Sequence, residues 1–296
     1  MSKLKAAFVW EFQDANKFLP FWNDGYKAAL DIVGRKHRLD WFVGPIENLK
    51  VPKNKYDVIL YWGSSTDKFH EELIGRPERK LWMYPGGGIN MELPKHYNVV
   101  FTEDKVYEEQ LKTTGTRTIR VTGTNTTLFK PEHRKKLFGA IFPGTFSMWK
   151  RQDIFAEAMR QEGLCVGTVQ PDGRELVQMA DGFGTKLIIG YLPAELLVDL
   201  YNMSEVVILP VAHGSQRTLL EALGMNISCV VGNHFKPLVD LAEEIGGCKI
   251  VDPTPLEIRR AFLEVRGTII NTRPYVIKHY GEEQFAEKLL RGIEDI

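Results

Sequence analysis

Short apolar runs alternate with amphipathic stretches from end to end of this chain, and that alternation limits its possible folds more than anything else. It is the pattern of parallel strands, buried on both faces, with helices as the crossovers. In the first half the expected strands are Lys5–Trp10, Leu39–Val43, Asp57–Trp62, Lys80–Tyr84, Asn98–Thr102 and Thr118–Val121. Helices are expected at Asp24–Lys36, Asp67–Leu73 and Lys105–Thr113. The segment Gly123–Lys136, GTNTTLFKPEHRKK, breaks the rhythm with Gly, Asn, Pro and a charge run, and reads as a linker. A second series of strands follows at Leu137–Phe142, Leu164–Val169, Lys186–Ile189, Val206–Leu209, Ser228–Val231 and Lys249–Val251. Its helices are expected at Arg151–Gln161, Ala194–Met203, Gln216–Leu223 and Pro237–Ile245. The fold class is therefore α/β, with two Rossmann-like doubly wound domains, 1–130 and 131–275. They are expected to face a cleft, with the ligand at the carboxyl ends of the strands. In the remaining piece, 276–296, Phe285, Leu289, Leu290 and Ile293 share one helical face, which fits packing across a domain surface.

The 296 residues suffice for two such domains, and 44% hydrophobic with 26% charged residues is ordinary for a soluble globular chain. Lys plus Arg and Asp plus Glu balance at 38 each, so no global field draws in nucleic acid or an anionic membrane. Cys165, Cys229 and Cys248 lack CxxC spacing and read as buried reduced thiols. Glu11 cuts short the first apolar run, so no signal peptide is expected, and no run approaches the roughly 18 residues that span a bilayer. A cytoplasmic protein is expected, which makes the Asn-x-Ser/Thr triplets at Asn125, Asn202 and Asn226 chance matches.

The most informative stretch is Ile189–Gly232: helix, buried strand, then a tight turn into a helix carrying Glu221. Ser215 is of the residue type that caps helices, and the backbone N–H groups of Gln216, Arg217 and Thr218 lack intrahelical partners. With the helix dipole they form either an anion site or an ordinary capped helix. Gly214 lets a diphosphate approach with no Cβ in its way. Glu221 lies beside an inward face of Leu219, Leu220 and Leu223, either as a solvated boundary carboxylate or as a two-pronged acceptor for ribose hydroxyls. Lys150, six residues after Gly144, stands where a helix start disfavours a cation; it is an exposed lysine or the partner of an anion. His213 is either a strand-ending histidine bonded to backbone or a donor whose charged form an anion would favour. In the first half, Gly86, Gly87 and Gly88 follow a strand and form a plain loop or present bare N–H groups. Glu11, Asp14 and Trp22, with Phe18 and Phe21, mix carboxylates and aromatics after the first strand: acceptor contacts, or a helix-docking patch. There is no DxD pair, HExxH, P-loop or GxSxG elbow, and no GxGxxG after the first strand for a nicotinamide cofactor.

Four pieces in order then resemble one family. Gly123-Thr-Asn-Thr-Thr-Leu-Phe-Lys-Pro131 resembles a GVDxxxFxP junction, with Asn125 in place of Asp. Phe142-Pro-Gly144-Thr-Phe-Ser-Met-Trp-Lys150 resembles a GRxxxxK turn, with Thr145 in place of Arg. Gly190-Tyr-Leu-Pro-Ala-Glu-Leu-Leu-Val-Asp-Leu-Tyr201 resembles the segment walling a nucleobase site, and His213-Gly-Ser-Gln-Arg-Thr-Leu-Leu-Glu221-Ala an EGxxxxxxE element, with His213 in place of the first Glu. Together they look like the retaining GT-B glycosyltransferases of family 4, over Asn98 to Val251. The resemblance implies transfer of a sugar from a nucleoside diphosphate sugar to an acceptor hydroxyl, with retention and without a metal. It places Lys150, Gly144 and the Gly214–Thr218 turn at the diphosphate, Glu221 at the ribose, Tyr191 and Leu192 at the base, and His213 and Lys150 at the reaction. No cofactor is implied beyond the donor, UDP- or GDP-linked. Two alternatives remain: a phage-type enzyme glycosylating a modified DNA base, which the charge balance opposes, and an inactive nucleotide-binding module.

Overall fold

The computed structural model describes residues 3–11, 25–84 and 90–294. The chain divides into two compact units, Met1–Gly123 with Glu282–Ile296, and Thr124–Gly281. In the first unit the elements are β1 (Lys5–Glu11), α1 (Gly25–Lys36), β2 (Arg38–Gly44), β3 (Val58–Trp62), α2 (Phe69–Ile74), β4 (Arg79–Tyr84), β5 (Val99–Thr102), α3 (Lys105–Lys112) and β6 (Arg117–Arg120). All six strands run parallel in the order β2-β1-β3-β4-β5-β6. Residues 6–10 and 58–61 are buried throughout because both faces of the sheet are covered, which is why they read as unbroken apolar runs.

The second unit comprises β7 (Phe138–Pro143), α4 (Gln152–Met159), β8 (Gly163–Gly167), α5 (Arg174–Gly182), β9 (Lys186–Ile189), α6 (Ala194–Asn202), β10 (Ser204–Leu209), α7 (Gln216–Gly224), β11 (Ser228–Gly232), α8 (Lys236–Ile245), β12 (Cys248–Val251), α9 (Pro255–Val265) and α10 (Arg273–Tyr280). Its sheet is also parallel, in the order β12-β11-β10-β7-β8-β9. The chain builds outward from β7 through β8 to β9, then returns to place β10 on the other side of β7. This is the dinucleotide-binding order, and its reversal lies between β7 and β10.

The expected strands all form, with ends shifted by one or two residues. Three helices were not anticipated. The apolar face of α5 is short, Leu176 and Ala180 with Val177 beside them, and α10 buries only Val276 and Tyr280. The third is α9. The division between units falls at Gly123 rather than at 130, because the following residues belong to the second core. Thr124 N–H donates to Tyr280 O at 2.9 Å, and the Arg273 guanidinium holds Thr126 O and Phe129 O, each at 2.8 Å. After Gly281 the chain returns to the first unit as α11 (Glu282–Glu294), which lays Phe285, Ala286, Leu289 and Ile293 into the first core. Phe285 meets Tyr26 of α1 edge to face, with centroids 4.8 Å apart.

Candidate functional site

In a parallel sheet all carboxyl ends open on one side, and the crevice forms where neighbouring loops leave in opposite directions. In the second unit those loops follow β7 and β10, strands paired through Ala140 with Val206 and Ile141 with Val207. The first loop is pinned to β8. Gly144 N–H donates to Val166 O at 2.8 Å and Phe146 N–H to Thr168 O at 2.7 Å. Gly167 makes this possible, since a Cβ there would lie 2.2 Å from Gly144 O; nothing in the sequence pattern marked it. Gln152, fully buried at the start of α4, donates through Nε2 to Thr145 O at 2.9 Å. Its Oε1 is buried without a hydrogen-bond partner among the described residues.

The loop then turns, with Lys150 N–H on Ser147 O at 2.9 Å, and meets its neighbour: Ala212 N–H donates to Trp149 O at 2.9 Å. Lys150 completes the junction. Its ammonium donates to Ser215 Oγ at 2.8 Å and to His213 O at 3.1 Å. Gly214 has φ 75°, and a Cβ on it would approach Lys150 Nζ to 2.9 Å, so glycine lets the ammonium lie against the backbone.

Ser215 does not cap α7. An N-cap serine needs extended backbone to swing its oxygen back to the helix amides. Ser215 instead has φ 73° and ψ 12° and makes no side-chain cap bond; its hydroxyl accepts from Lys150. Left-handed backbone in a residue with a Cβ costs about 1–2 kcal/mol, and Arg151, at the start of α4, shares the conformation. No acidic side chain occupies the first turn of α7, so no carboxylate there repels an anion from its amino end. Gln216 is buried, while Arg217 and Thr218 are half-buried.

One turn further along α7, Glu221 Oε2 accepts from Tyr201 Oη at 2.8 Å. Tyr201 reaches it from α6 with its ring in the core, and sequence reasoning gave it no role. Burial, reinforced by the Glu221 charge, pushes the Tyr201 hydroxyl well above the usual tyrosine pKa, so it is a permanent donor. Arg217, one turn before Glu221 on the same helical face, opposes that shift. Tyr191 and Leu192 are half-buried after β9, two strands from β7 and roughly 10 Å away by strand spacing. His213 packs its ring edge-on against Phe235, centroids 5.0 Å apart, a neighbour from the loop after β11 that the sequence left unmarked.

In the first unit Glu11 ends β1, beside that sheet's own reversal between β1 and β3. Its carboxylate is buried and accepts from Phe69 N–H at 2.9 Å, serving the amino end of α2; burial raises its pKa. The loop after β3 is held from beneath. Trp82 Nε1–H donates to Gly63 O at 2.8 Å, and His70 Nε2 lies 2.8 Å from Ser64 O. Burial depresses the His70 pKa, leaving a neutral ring that donates there and accepts from Tyr97 Oη at Nδ1, 2.6 Å. Asp14, Phe18, Phe21, Trp22, Gly86, Gly87 and Gly88 lie outside the described residues.

No protein-family model and no curated protein sequence matches the chain. Solved structures do. Sucrose-phosphate synthase from Thermosynechococcus elongatus matches with a TM-score of 0.72 at 15% identity, covering 99% of both chains. HepE from Anabaena, solved in complex with UDP and glucose, matches at 0.73 with 12% identity, over 99% of this chain and 100% of that one. A glycosyltransferase from Rickettsia africae matches at 0.73 with 13% identity, over the whole of both chains. At these identities the likeness is one of fold: the chain has the two Rossmann-like domains of the GT-B glycosyltransferase architecture.

Proposed function

We propose that this chain is a glycosyltransferase that moves a sugar from a UDP- or GDP-linked donor to an acceptor hydroxyl, with retention and without a metal. The observation that carries the reading is the Lys150 bridge across the β7/β10 reversal, where it touches Gly214 and Ser215 at the amino end of α7. A diphosphate at that point would replace two neutral acceptors with anionic ones, adding charge–charge attraction to bonds the ammonium already makes. The amides of Gln216, Arg217 and Thr218 and the α7 dipole favour the same charge. As the glycosidic bond breaks, negative charge grows on the leaving phosphate, and Lys150 gains most at that moment, which accelerates the step rather than only tightening binding. Glu221, oriented by Tyr201, would grip the ribose; Tyr191 and Leu192 would border the base; His213 would face the departing sugar. Retention fits front-face attack assisted by the departing phosphate oxygen. HepE, with the same fold, is described with UDP and glucose bound, which is consistent with such a donor.

The test starts with a melting screen against UDP, GDP, ADP, CMP and dTDP, in which a ligand at 100 times its dissociation constant adds about 2.7 kcal/mol. Release of free nucleotide from the matching sugar donors is then measured. Lys150→Ala should cut turnover by about 10²-fold, with a smaller effect on nucleotide affinity. No shift with any nucleotide, or full turnover in Lys150→Ala, would overturn the proposal.

A further inference from the structure

The chain has six tryptophans, of which Trp22 lies outside the described residues. Four of the other five sit in aromatic company: Trp10 against Trp62, Trp41 against Phe8, and Trp82 against Tyr84. Trp149 is the exception. Its side chain is 64% exposed, and among the described residues no ring stacks on it and no acceptor takes its indole N–H. Met148 beside it is 53% exposed. Such exposure usually belongs to a loose loop, yet the Ser147–Lys150 turn is closed by one internal bond and tied to its neighbours by two. Met148 N–H donates to Asp172 Oδ2 at 3.1 Å, Lys150 N–H to Ser147 O at 2.9 Å, and Ala212 N–H to Trp149 O at 2.9 Å. A large apolar ring is thus held out to solvent on a fixed support, one residue before Lys150.

We propose that Trp149, with Met148 beside it and the Asp172 carboxylate bound to the Met148 amide, is a stacking platform for the sugar ring of a carbohydrate acceptor. This rests on the glycosyl-transfer reading above. A pyranose has an apolar C–H face that lies on an indole and a rim of hydroxyls that donate to a carboxylate, so ring and acid together match it. The nucleobase is excluded by strand order. Trp149 is tied to the loop after β10, whereas Tyr191 and Leu192 follow β9 on the opposite flank of β7. The transferred sugar needs enclosure from water, which a ring this exposed does not provide, whereas an acceptor glycan remains partly in solvent. A protein partner is a poor match, because one indole and one thioether fall far short of the roughly 800 Å² per partner that a stable interface buries.

The experiment applies the full-length protein, with and without UDP, to an array of immobilised mono- and oligosaccharides, alongside Trp149→Ala and Trp149→Phe. The wild-type chain should retain a subset of glycans; Trp149→Ala should lose about tenfold of that signal and Trp149→Phe about threefold. Both variants should melt with the wild-type protein, since the indole buries little. Wild-type signal in Trp149→Ala, or no glycan retained by the wild-type chain, overturns the platform. The donor reading fails separately: if no nucleotide shifts melting while a Trp149-dependent glycan signal persists, the platform stands without it.

Discussion

Glu221 and Tyr201 form the contact that fixes the one carboxylate of α7 in place. A carboxylate at a half-buried helix position is conformationally loose unless something orients it, and here the orienting group is a phenol rooted in the core. Tyr201→Phe keeps the ring and removes one hydrogen bond to a charged partner, so stability should fall by about 1–2 kcal/mol, measured by urea unfolding. Nucleotide affinity should fall as well, as Glu221 loses its fixed position. The pH dependence has a definite sign. Burial and the Glu221 charge raise the folded Tyr201 pKa well above the ordinary tyrosine value of about 10, so the folded state holds its proton where the unfolded chain releases it. That contribution is complete below pH 10 and disappears as pH rises toward the folded value, so the alkaline limb of the stability curve should flatten in Tyr201→Phe. The sequence marked Glu221 through its place at the end of the His213–Glu221 element, a spacing contained in one short stretch, while Leu219, Leu220 and Leu223 placed it only at a helix boundary. The tyrosine twenty residues earlier stayed hidden, because only the packing of α6 against β10 and α7 brings the two together.

Local signals were unevenly legible at the level of elements. The strands stood out because a parallel sheet buried on both faces concentrates Val, Ile, Leu and Phe into runs. Helix α9 could have been found: Thr254-Pro-Leu-Glu257 combines an N-cap threonine, a proline in the first turn and a glutamate three residues on. In the structure Thr254 Oγ1 accepts from Glu257 N–H at 3.3 Å. Thr254→Ala should therefore cost about 1 kcal/mol, read as a lower urea midpoint with an unchanged slope. Ser215 shows the opposite case, where a residue suited to capping does not cap. Its left-handed backbone is set by Gly214 and the Lys150 bridge, a constraint from across the sheet that no window of sequence contains. Gly167 was unreadable for the same reason, as its requirement comes from the Gly144 carbonyl in the loop after β7.

At the scale of the whole molecule, the chain leaves the first unit at Gly123 and re-enters it at Glu282. The α11 helix lays Phe285, Leu289 and Ile293 into the first core, and its Glu294 pairs with Lys36 at 2.7 Å and His37 at 2.9 Å. Removing those three apolar side chains from the core costs on the order of 5 kcal/mol or more, comparable to the net stability of a typical domain. Ending the chain after Gly281 should therefore unfold the first unit and spare the second. Hydrogen exchange resolved by peptide checks this: protection should vanish from β1 and β3 and persist in β7 and β10. Equal protection in both would show that α11 is dispensable. The re-entry also has a consequence during translation. Domains ordinarily mature in the order in which the ribosome emits them, but here residues 1–123 must wait, their apolar seam uncovered, until the α11 segment 282–294 has been made. The later-made half can finish first, and whatever shields nascent chains has to attend to the earlier one longest.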